Sequence, residues 1–459
     1  MDINPSIQTI DTIVALATPA GTGAIAVIRL SGNRAFEITQ SVFRGKNLLE
    51  QPTHTLHFGY IYDGDKLLDE VVAGLYKGPK SFTKEDIVEI SCHGSEYIVR
   101  QILQLFVRKG ARFAKAGEFT KRAFLNGRFD LAQAEAVADV IASETDAAHQ
   151  AALNQMRGGF SQEIKLLRDQ LVHFASMVEL ELDFGEEDVE FADRGKLKEL
   201  VSGIKKVIES LIQSFNVGNV IKNGIPTVIA GKPNAGKSTL LNVLLNEERA
   251  LVSEIPGTTR DFIEDEIIVE GITFRFTDTA GLRETVDKVE ALGIERTKKK
   301  MKEASFIIFL FDVNSTTEKE LKEDITELRS LNVPYLVVGN KIDKNSKTVN
   351  AFKNFSGIIF ISAGLKAGID TLKEKLLEAV NISTFKTGNT VVTNVRHYES
   401  LLNTKEALDS VLAALDTQIT GDFLAQDIRR ALYHLGEITG EITTDDLLAN
   451  IFSKFCIGK

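Results

Sequence analysis

Gly231-Lys232-Pro233-Asn234-Ala235-Gly236-Lys237-Ser238 fits the pattern G-x-x-x-x-G-K-[ST] and follows an apolar run, Ile225–Ala230. That order predicts a strand, a glycine-rich loop and a helix. The glycines let backbone N–H groups close around phosphates, Lys237 meets the terminal phosphates, and the Ser238 hydroxyl ligates Mg²⁺. Asn234, Ala235, Gly236, Lys237, Ser238 and Thr239 are the first candidate nucleotide contacts. A chance match in a chain of this length is an event on the order of one per cent at ordinary glycine usage, and three further motifs downstream make accident rarer still.

Asp278-Thr279-Ala280-Gly281 follows the alternating Ile272-Thr273-Phe274-Arg275-Phe276. Asp278 then stands at a strand end, where a carboxylate holds Mg²⁺ through water, and the Gly281 N–H is offered to a terminal phosphate. Tyr335-Leu336-Val337-Val338 leads into Asn340-Lys341-Ile342-Asp343, and the apolar residues 358–361 lead into Ser362-Ala363-Gly364. Guanine presents two adjacent donors that one carboxylate, Asp343, accepts together, whereas adenine has neither on that edge. A buried carboxylate rejects a base that leaves it unpaired, so the expected ligand is GTP. The Ala363 N–H is expected to donate to guanine O6. Each piece alone reads as a polar loop or turn; in this order they describe a guanine-nucleotide site.

Between the phosphate loop and Asp278 lie Ser253-Glu254-Ile255-Pro256 and Gly257-Thr258-Thr259-Arg260-Asp261. Thr259 is the natural second hydroxyl ligand for Mg²⁺. Ras-like proteins place a water-orienting glutamine directly after the D-x-x-G glycine. Here that residue is Leu282, which neither accepts from water nor donates to a phosphoryl group. Two acids come next, Glu284 and Glu290, as candidates to orient the water. Arg283 suits a cis finger, although an arginine there is more simply solvated. The Asn234 side-chain carbonyl suits a monovalent cation beside the phosphates, which would stabilise transition-state charge without an arginine from a partner.

The chain has 459 residues, 43% hydrophobic and 26% charged, an ordinary soluble balance with room for about three domains. Met1-Asp2-Ile3-Asn4-Pro5 lacks a basic signal region, and no apolar run approaches the roughly 20 residues of a membrane span. A cytoplasmic location without membrane attachment is expected. Cys92 and Cys456 are the only cysteines, too few for a disulfide framework or a zinc site. Cys456-Ile457-Gly458-Lys459 imitates a prenylation box by position alone, since Gly458 and Lys459 are wrong for it. Cys456 is open to redox chemistry or to a buried, inert role. A net charge of −10 gives no indiscriminate attraction to nucleic acid, so an RNA partner must be bound locally or through another subunit. The basic residues 296–302 read as a solvated helix face.

Residues 1–118 mix β-rich runs with glycine turns, as an α+β domain does. Residues 119–220 turn helical, with Leu131, Ala134, Val137, Ala138 and Ile141 at 3.6-like spacing, and the acidic residues 179–193 read as a solvated bend between two long helices. Residues 221–384 alternate strands and helices as an α/β doubly wound unit. In residues 385–459 helices return, marked by Leu401, Ala407, Leu408, Val411, Leu412 and Leu415 and then by Ile428, Leu432 and Leu435. The fold class is therefore multi-domain, α+β and α/β, with a Ras-like P-loop domain inserted into a helical one.

The full length resembles the MnmE (TrmE) family of bacterial and organellar tRNA modification GTPases, among the TrmE-Era-EngA-like GTPases. The resemblance rests on Ala17-Thr18-Pro19 with Gly21 and Gly23, on Ala116-Gly117-Glu118-Phe119 with Arg122-Ala123-Phe124-Leu125-Asn126, and on Asp130-Leu131-Ala132-Gln133-Ala134-Glu135-Ala136. Gly257-Thr258-Thr259-Arg260-Asp261 and Phe455-Cys456-Ile457-Gly458-Lys459 complete it. It implies a homodimer that works with the FAD protein MnmG, as a heterotetramer, to install a carboxymethylaminomethyl or aminomethyl group at C5 of the wobble uridine of certain tRNAs. It implies activation of the GTPase by potassium, held by Asn234, Ser253, Ile255 and Thr258, and catalysis by Glu290 through a bridging water. It also implies an N-terminal tetrahydrofolate site, binding a 5-formyl or methylene form through Arg29, Glu89, Arg128 and Lys459. Arg128 stands where relatives often carry lysine, keeping the charge in a planar group. Two other readings are a regulatory GTPase switch in ribosome assembly and a folate-dependent one-carbon transferase regulated by GTP. The first of these lacks a KH-like G-x-x-G module after the P-loop domain.

Overall fold

The computed structural model describes residues 11–183, 194–248, 265–276, 299–345, 348–352, 354–379, 390–417 and 421–458. The chain forms two compact units. The first gathers residues 1–142, 151–212 and 395–459, and the second gathers 143–150 and 213–394. In chain order the α/β unit thus interrupts the other, as expected of an insertion.

In the first unit, strands β1 (Thr12–Leu16), β2 (Ile25–Ser31), β3 (Phe43–Gly45), β4 (Thr55–Asp63), β5 (Lys66–Tyr76), β6 (Ile87–His93) and β7 (Ala111–Phe113) form one sheet. Its spatial order is β3-β4-β5-β6-β2-β1-β7, antiparallel apart from the β1–β7 pair. Alternating residues Ile28, Leu30, Ala73, Leu75, Val88 and Ile90 face helices α1 (Ala35–Gln40) and α2 (Glu96–Arg108), whose Val99, Ile102, Leu105 and Phe106 close the core. Each buried Val, Leu, Ile or Phe side chain among them contributes about 1.5–3 kcal/mol. The period of two sends the intervening residues to the other face, where Arg29 and Glu89 sit opposite each other in the β2–β6 register. Helices α3 (Glu118–Leu125), α4 (Leu131–Ala142), α5 (Asp146–Met156), α6 (Gly159–Asp183) and α7 (Arg194–Asn223) come after the sheet. Leu131, Ala134 and Val137 are buried as the spacing predicts, whereas Ile141, in the last turn of α4, is exposed. The helical run is more segmented than its pattern suggested, with Gly158 at φ +87° between α5 and α6.

The second unit holds β8 (Ile225–Ala230), β9 (Asp265–Val269), β10 (Ile272–Phe276), β11 (Phe306–Asp312), β12 (Tyr335–Asn340) and β13 (Ile358–Phe360). They run in the order β13-β12-β11-β8-β10-β9, parallel except for the β9–β10 hairpin. Strand β11 is apolar along nearly its whole length because both faces are covered. Phe306, Ile308 and Leu310 join one core with α8 (Lys237–Glu248) and α10 (Ile369–Ala379). Ile307, Phe309 and Phe311 join another with Leu321 and Leu328 of α9 (Glu318–Ser330). The C-terminal ends of β8, β11, β12 and β13 line one edge. There β8 separates strands that come later in sequence on either side, the switch point at which ligands bind in such sheets.

Helices α11 (Val395–Asp416), α12 (Gly421–Thr439) and α13 (Asp445–Ser453) return to the first unit, where α12 packs on α6 and α11. Beneath them the buried Glu135 of α4 meets Arg396 at 2.9 Å through both carboxylate oxygens and His397 at 2.7 Å. Arg396 also donates to the Glu437 and Ile438 carbonyls at the end of α12, at 2.5 and 3.0 Å, satisfying helix-terminal acceptors. Among the described residues no helix is long and apolar enough to cross a membrane.

Candidate functional site

The loop joining β8 to α8 owes its path to two glycines. At Gly231, φ is +141° and a Cβ would stand 2.0 Å from the Leu310 carbonyl oxygen of β11. At Gly236, φ is +101° and a Cβ would stand 2.3 Å from Asn340 Nδ2. Both positions exclude side chains. Asn234 takes a left-handed conformation at φ +63°. The Lys237 ammonium donates to the Gly231 and Lys232 carbonyls at 2.8 and 2.9 Å, so it lies across the mouth of the loop, and burial pushes its pKa below the usual lysine value. Ser238 and Thr239 occupy the first turn of α8, where N–H groups and the helix dipole favour anions.

Asn340, at the end of β12, is 2% exposed. Its Nδ2 donates to the Ala235 carbonyl at 2.8 Å, and its Oδ1 accepts the Lys341 and Ala363 N–H groups at 2.8 and 3.0 Å. One amide thereby ties three loops together. The Ala363 N–H, expected on guanine O6, is engaged by Asn340 here, so reading O6 requires that it be shared or exchanged. Asp343 accepts the Ser362 hydroxyl at 2.5 Å. It is exposed at the rim rather than buried as expected. Gly364 lies in an exposed turn beside these groups.

A fourth loop, which the sequence reading missed, completes the edge. Asp312 ends β11, and its Oδ2 accepts the Lys341 ammonium at 2.8 Å. Asn314 holds the other oxygen through its backbone N–H at 2.9 Å and its side-chain amide at 3.1 Å. Burial pushes the Asp312 carboxyl up, but the bonds from Lys341 and Asn314 outweigh it and hold the pKa below the usual carboxylate value. Lys341 itself, at φ +67°, donates also to the Asn234 carbonyl at 2.6 Å. No local signal in the sequence marks Asp312, because its partner Lys341 is 29 positions away.

Ser253, Glu254, Ile255, Pro256, Gly257, Thr258, Thr259, Asp278, Thr279, Ala280, Gly281 and Glu290 lie outside the described residues, as does Lys459.

The other predicted group gathers in the first unit. Arg29 reaches Glu89 Oε1 through Nε at 2.8 Å and Nη2 at 2.7 Å, and donates to the Gly458 carbonyl at 3.3 Å. Its guanidinium lies 5.6 Å from the Phe82 ring centre and 5.7 Å from that of Phe119. Arg128 stacks on Phe82 and Phe129, at 4.9 Å from each, and donates to the Ser81 carbonyl at 2.8 Å. Glu89, Arg128, Phe82, Tyr76, Lys80 and Lys84 are among the residues lining a cavity of about 590 Å³. Burial first, and then the charge of Glu89, push the Tyr76 hydroxyl pKa up. The tail docks beside this region: Gly117 N–H donates to the Cys456 carbonyl at 3.3 Å, and a Cβ on Gly458 would stand 2.2 Å from the Leu16 carbonyl oxygen. Cys456 is exposed, not buried. Cys92 is the buried thiol, pushed up to about 11 by burial and then by Asp69.

Comparison with known proteins joins these two sites in one lineage. The family described as GTP-binding protein TrmE N-terminus matches residues 12–128, and that of the MnmE helical domain matches residues 131–456. The tRNA modification GTPase MnmE of Cytophaga hutchinsonii is 67% identical over 450 residues, covering 98% of both chains. That of Flavobacterium psychrophilum is 55% identical over 458 residues, covering 98% of this chain and 99% of its own. With models and relatives that span it nearly end to end, this chain belongs to the MnmE family of tRNA modification GTPases.

Proposed function

We propose that the chain is a potassium-activated GTPase. On this reading it acts in the cytoplasm as a homodimer with the FAD protein MnmG, and adds a carboxymethylaminomethyl or aminomethyl group at C5 of the wobble uridine of certain tRNAs. The one-carbon unit comes from a 5-formyl- or methylene-tetrahydrofolate held in the first unit. The observation that carries the folate part is the cavity edged by Glu89 and Arg128. Its volume suits a small cofactor, the Phe82 ring packs with the Arg29 and Arg128 guanidinium groups, and Arg128, Lys80 and Lys84 supply positive charge for a glutamate tail. Glu89 would read the adjacent donors of the pterin, with Arg29 fixing the carboxylate. When bound, the folate would supply the one-carbon unit, at the formaldehyde level from a methylene form or at the formate level, two electrons more oxidised, from a 5-formyl form.

At the other site, Lys237 and the N-terminus of α8 would hold phosphate charge, Ser238 with Thr259 would hold Mg²⁺, and Asp343 would select guanine. Asn234, with Ser253, Ile255 and Thr258, would hold potassium, which supplies positive charge beside the phosphates. Glu290 orients the attacking water. Steady-state hydrolysis in potassium and sodium buffers of matched ionic strength, across protein concentrations, tests this. Activity is expected to rise with potassium and with protein concentration; equal rates in both salts would remove the cation role. Glu290→Ala is expected to abolish most hydrolysis and leave GTP affinity near normal, because a water-orienting group acts mainly in the transition state.

A further inference from the structure

Lys341 carries a flexible stem and a mobile charge, and an unrestrained lysine loses its rotamer freedom only when a ligand arrives. Here two acceptors restrain it, Asn234 O at 2.6 Å and Asp312 Oδ2 at 2.8 Å. Asp312 is restrained in its turn. Asn314 clamps Oδ1 and also donates to the Lys341 carbonyl at 3.0 Å, so the end of β11 grips both ends of the lysine. The pair is mostly enclosed, with side-chain exposures of 24% for Lys341 and 16% for Asp312.

We propose that Asp312 is a positioning residue for guanine nucleotide. It acts through Lys341 to hold the base-reading loop against the phosphate loop before the base arrives, so that its loss speeds nucleotide release. The inference rests on reading Asn340 to Asp343 as the loop that meets guanine. A pocket assembled in advance spares the ligand the cost of ordering it. The same tether bears on the Asn234 carbonyl, so it also fixes the left-handed turn that aims the Asn234 side chain. In Asp312→Asn the negative charge is lost and the hold on the ammonium weakens to a neutral contact.

The test monitors release of a fluorescent GDP analogue from the full chain by stopped flow, on chasing with excess GDP. Wild type, Asp312→Asn, Lys341→Met and the double variant form a cycle. Asp312→Asn is expected to speed release about 10- to 100-fold, the scale of one charge-assisted hydrogen bond. In the Lys341→Met background the same change is expected to alter release less than about twofold, because the two residues act as one. An unchanged rate in Asp312→Asn, or an equal multiplication in both backgrounds, overturns the proposal. Circular dichroism melts of the nucleotide-free proteins check folding. Should Asp312→Asn not fold, Asn314→Ala, which frees the same carboxylate, replaces it in the cycle with the same expected direction. Failure of wild type itself to retain the analogue would instead count against the base-loop reading.

Discussion

Asp343 meets solvent at the rim with one oxygen already accepting from Ser362, so on the proposed reading its selectivity for guanine would depend on being covered by a base that offers two donors. Asp343→Ala is expected to weaken GTP binding about 100-fold or more, the scale of losing paired charge-assisted hydrogen bonds, and to leave weak ATP binding unchanged; titration calorimetry with both nucleotides reads the difference. At this scale the sequence was legible wherever the chemistry is contiguous. Gly231 to Ser238 spells out its own loop, because every residue in it answers to one local geometry. Asp312 was not legible, since its partner Lys341 lies 29 positions away and a strand ending in aspartate looks like any turn. Phe82 was equally silent, because it matters only through the arginines that long-range pairing brings to it. Glu135 did leave a trace: it stands four residues after Leu131, a charge set in an apolar stripe.

Between elements, Glu135 joins α4 to α11, and Arg396 carries the link on to the end of α12. Burial pushes the Glu135 carboxyl up, but His397 and Arg396 outweigh it and hold the pKa at about 2 against a usual 4.5. A depressed carboxyl contributes stability that is fully present above pH 4.5 and lost as pH falls towards 2. Glu135→Gln is expected to cost about 3–5 kcal/mol near neutrality, the penalty of leaving the enclosed Arg396 guanidinium uncompensated. Urea unfolding midpoints should show the gap between wild type and variant narrowing between pH 4.5 and pH 3; a gap that is constant with pH would refute the assignment. The strands were read well where an apolar or alternating run is uninterrupted, as in β8, β10 and β12. Helix ends were read less well, because Ile141 continues the stripe of α4 past the point where neighbours cover it.

For the whole molecule, the two sites belong to separate compact units, and the contacts of Arg128 lie in the first. Arg128→Ala is therefore expected to weaken tetrahydrofolate binding about tenfold or more, as loss of a charge-assisted contact does, and to leave GTP affinity unchanged. Fluorescence titration with each ligand separates the two effects, and equal losses for both would defeat it. The insertion was legible because helical periodicity stops and resumes around an α/β pattern. The joining of the tail to the first strands was legible only through the family resemblance, which sets Lys459 with Arg29 and Glu89, since neither Gly458 nor Leu16 signals the other. That joining has a temporal meaning. Arg29 and the Gly458 carbonyl that steadies it are 429 positions apart, so at about 5–20 residues per second the ribosome needs roughly 20–90 s to deliver one after the other. In that interval the phosphate loop is made and can fold, while Arg29 still lacks its last partner. A nascent chain that ends between residues 394 and 458 thus has all of the second unit but an unlatched first unit, and the docked tail records that synthesis passed that point.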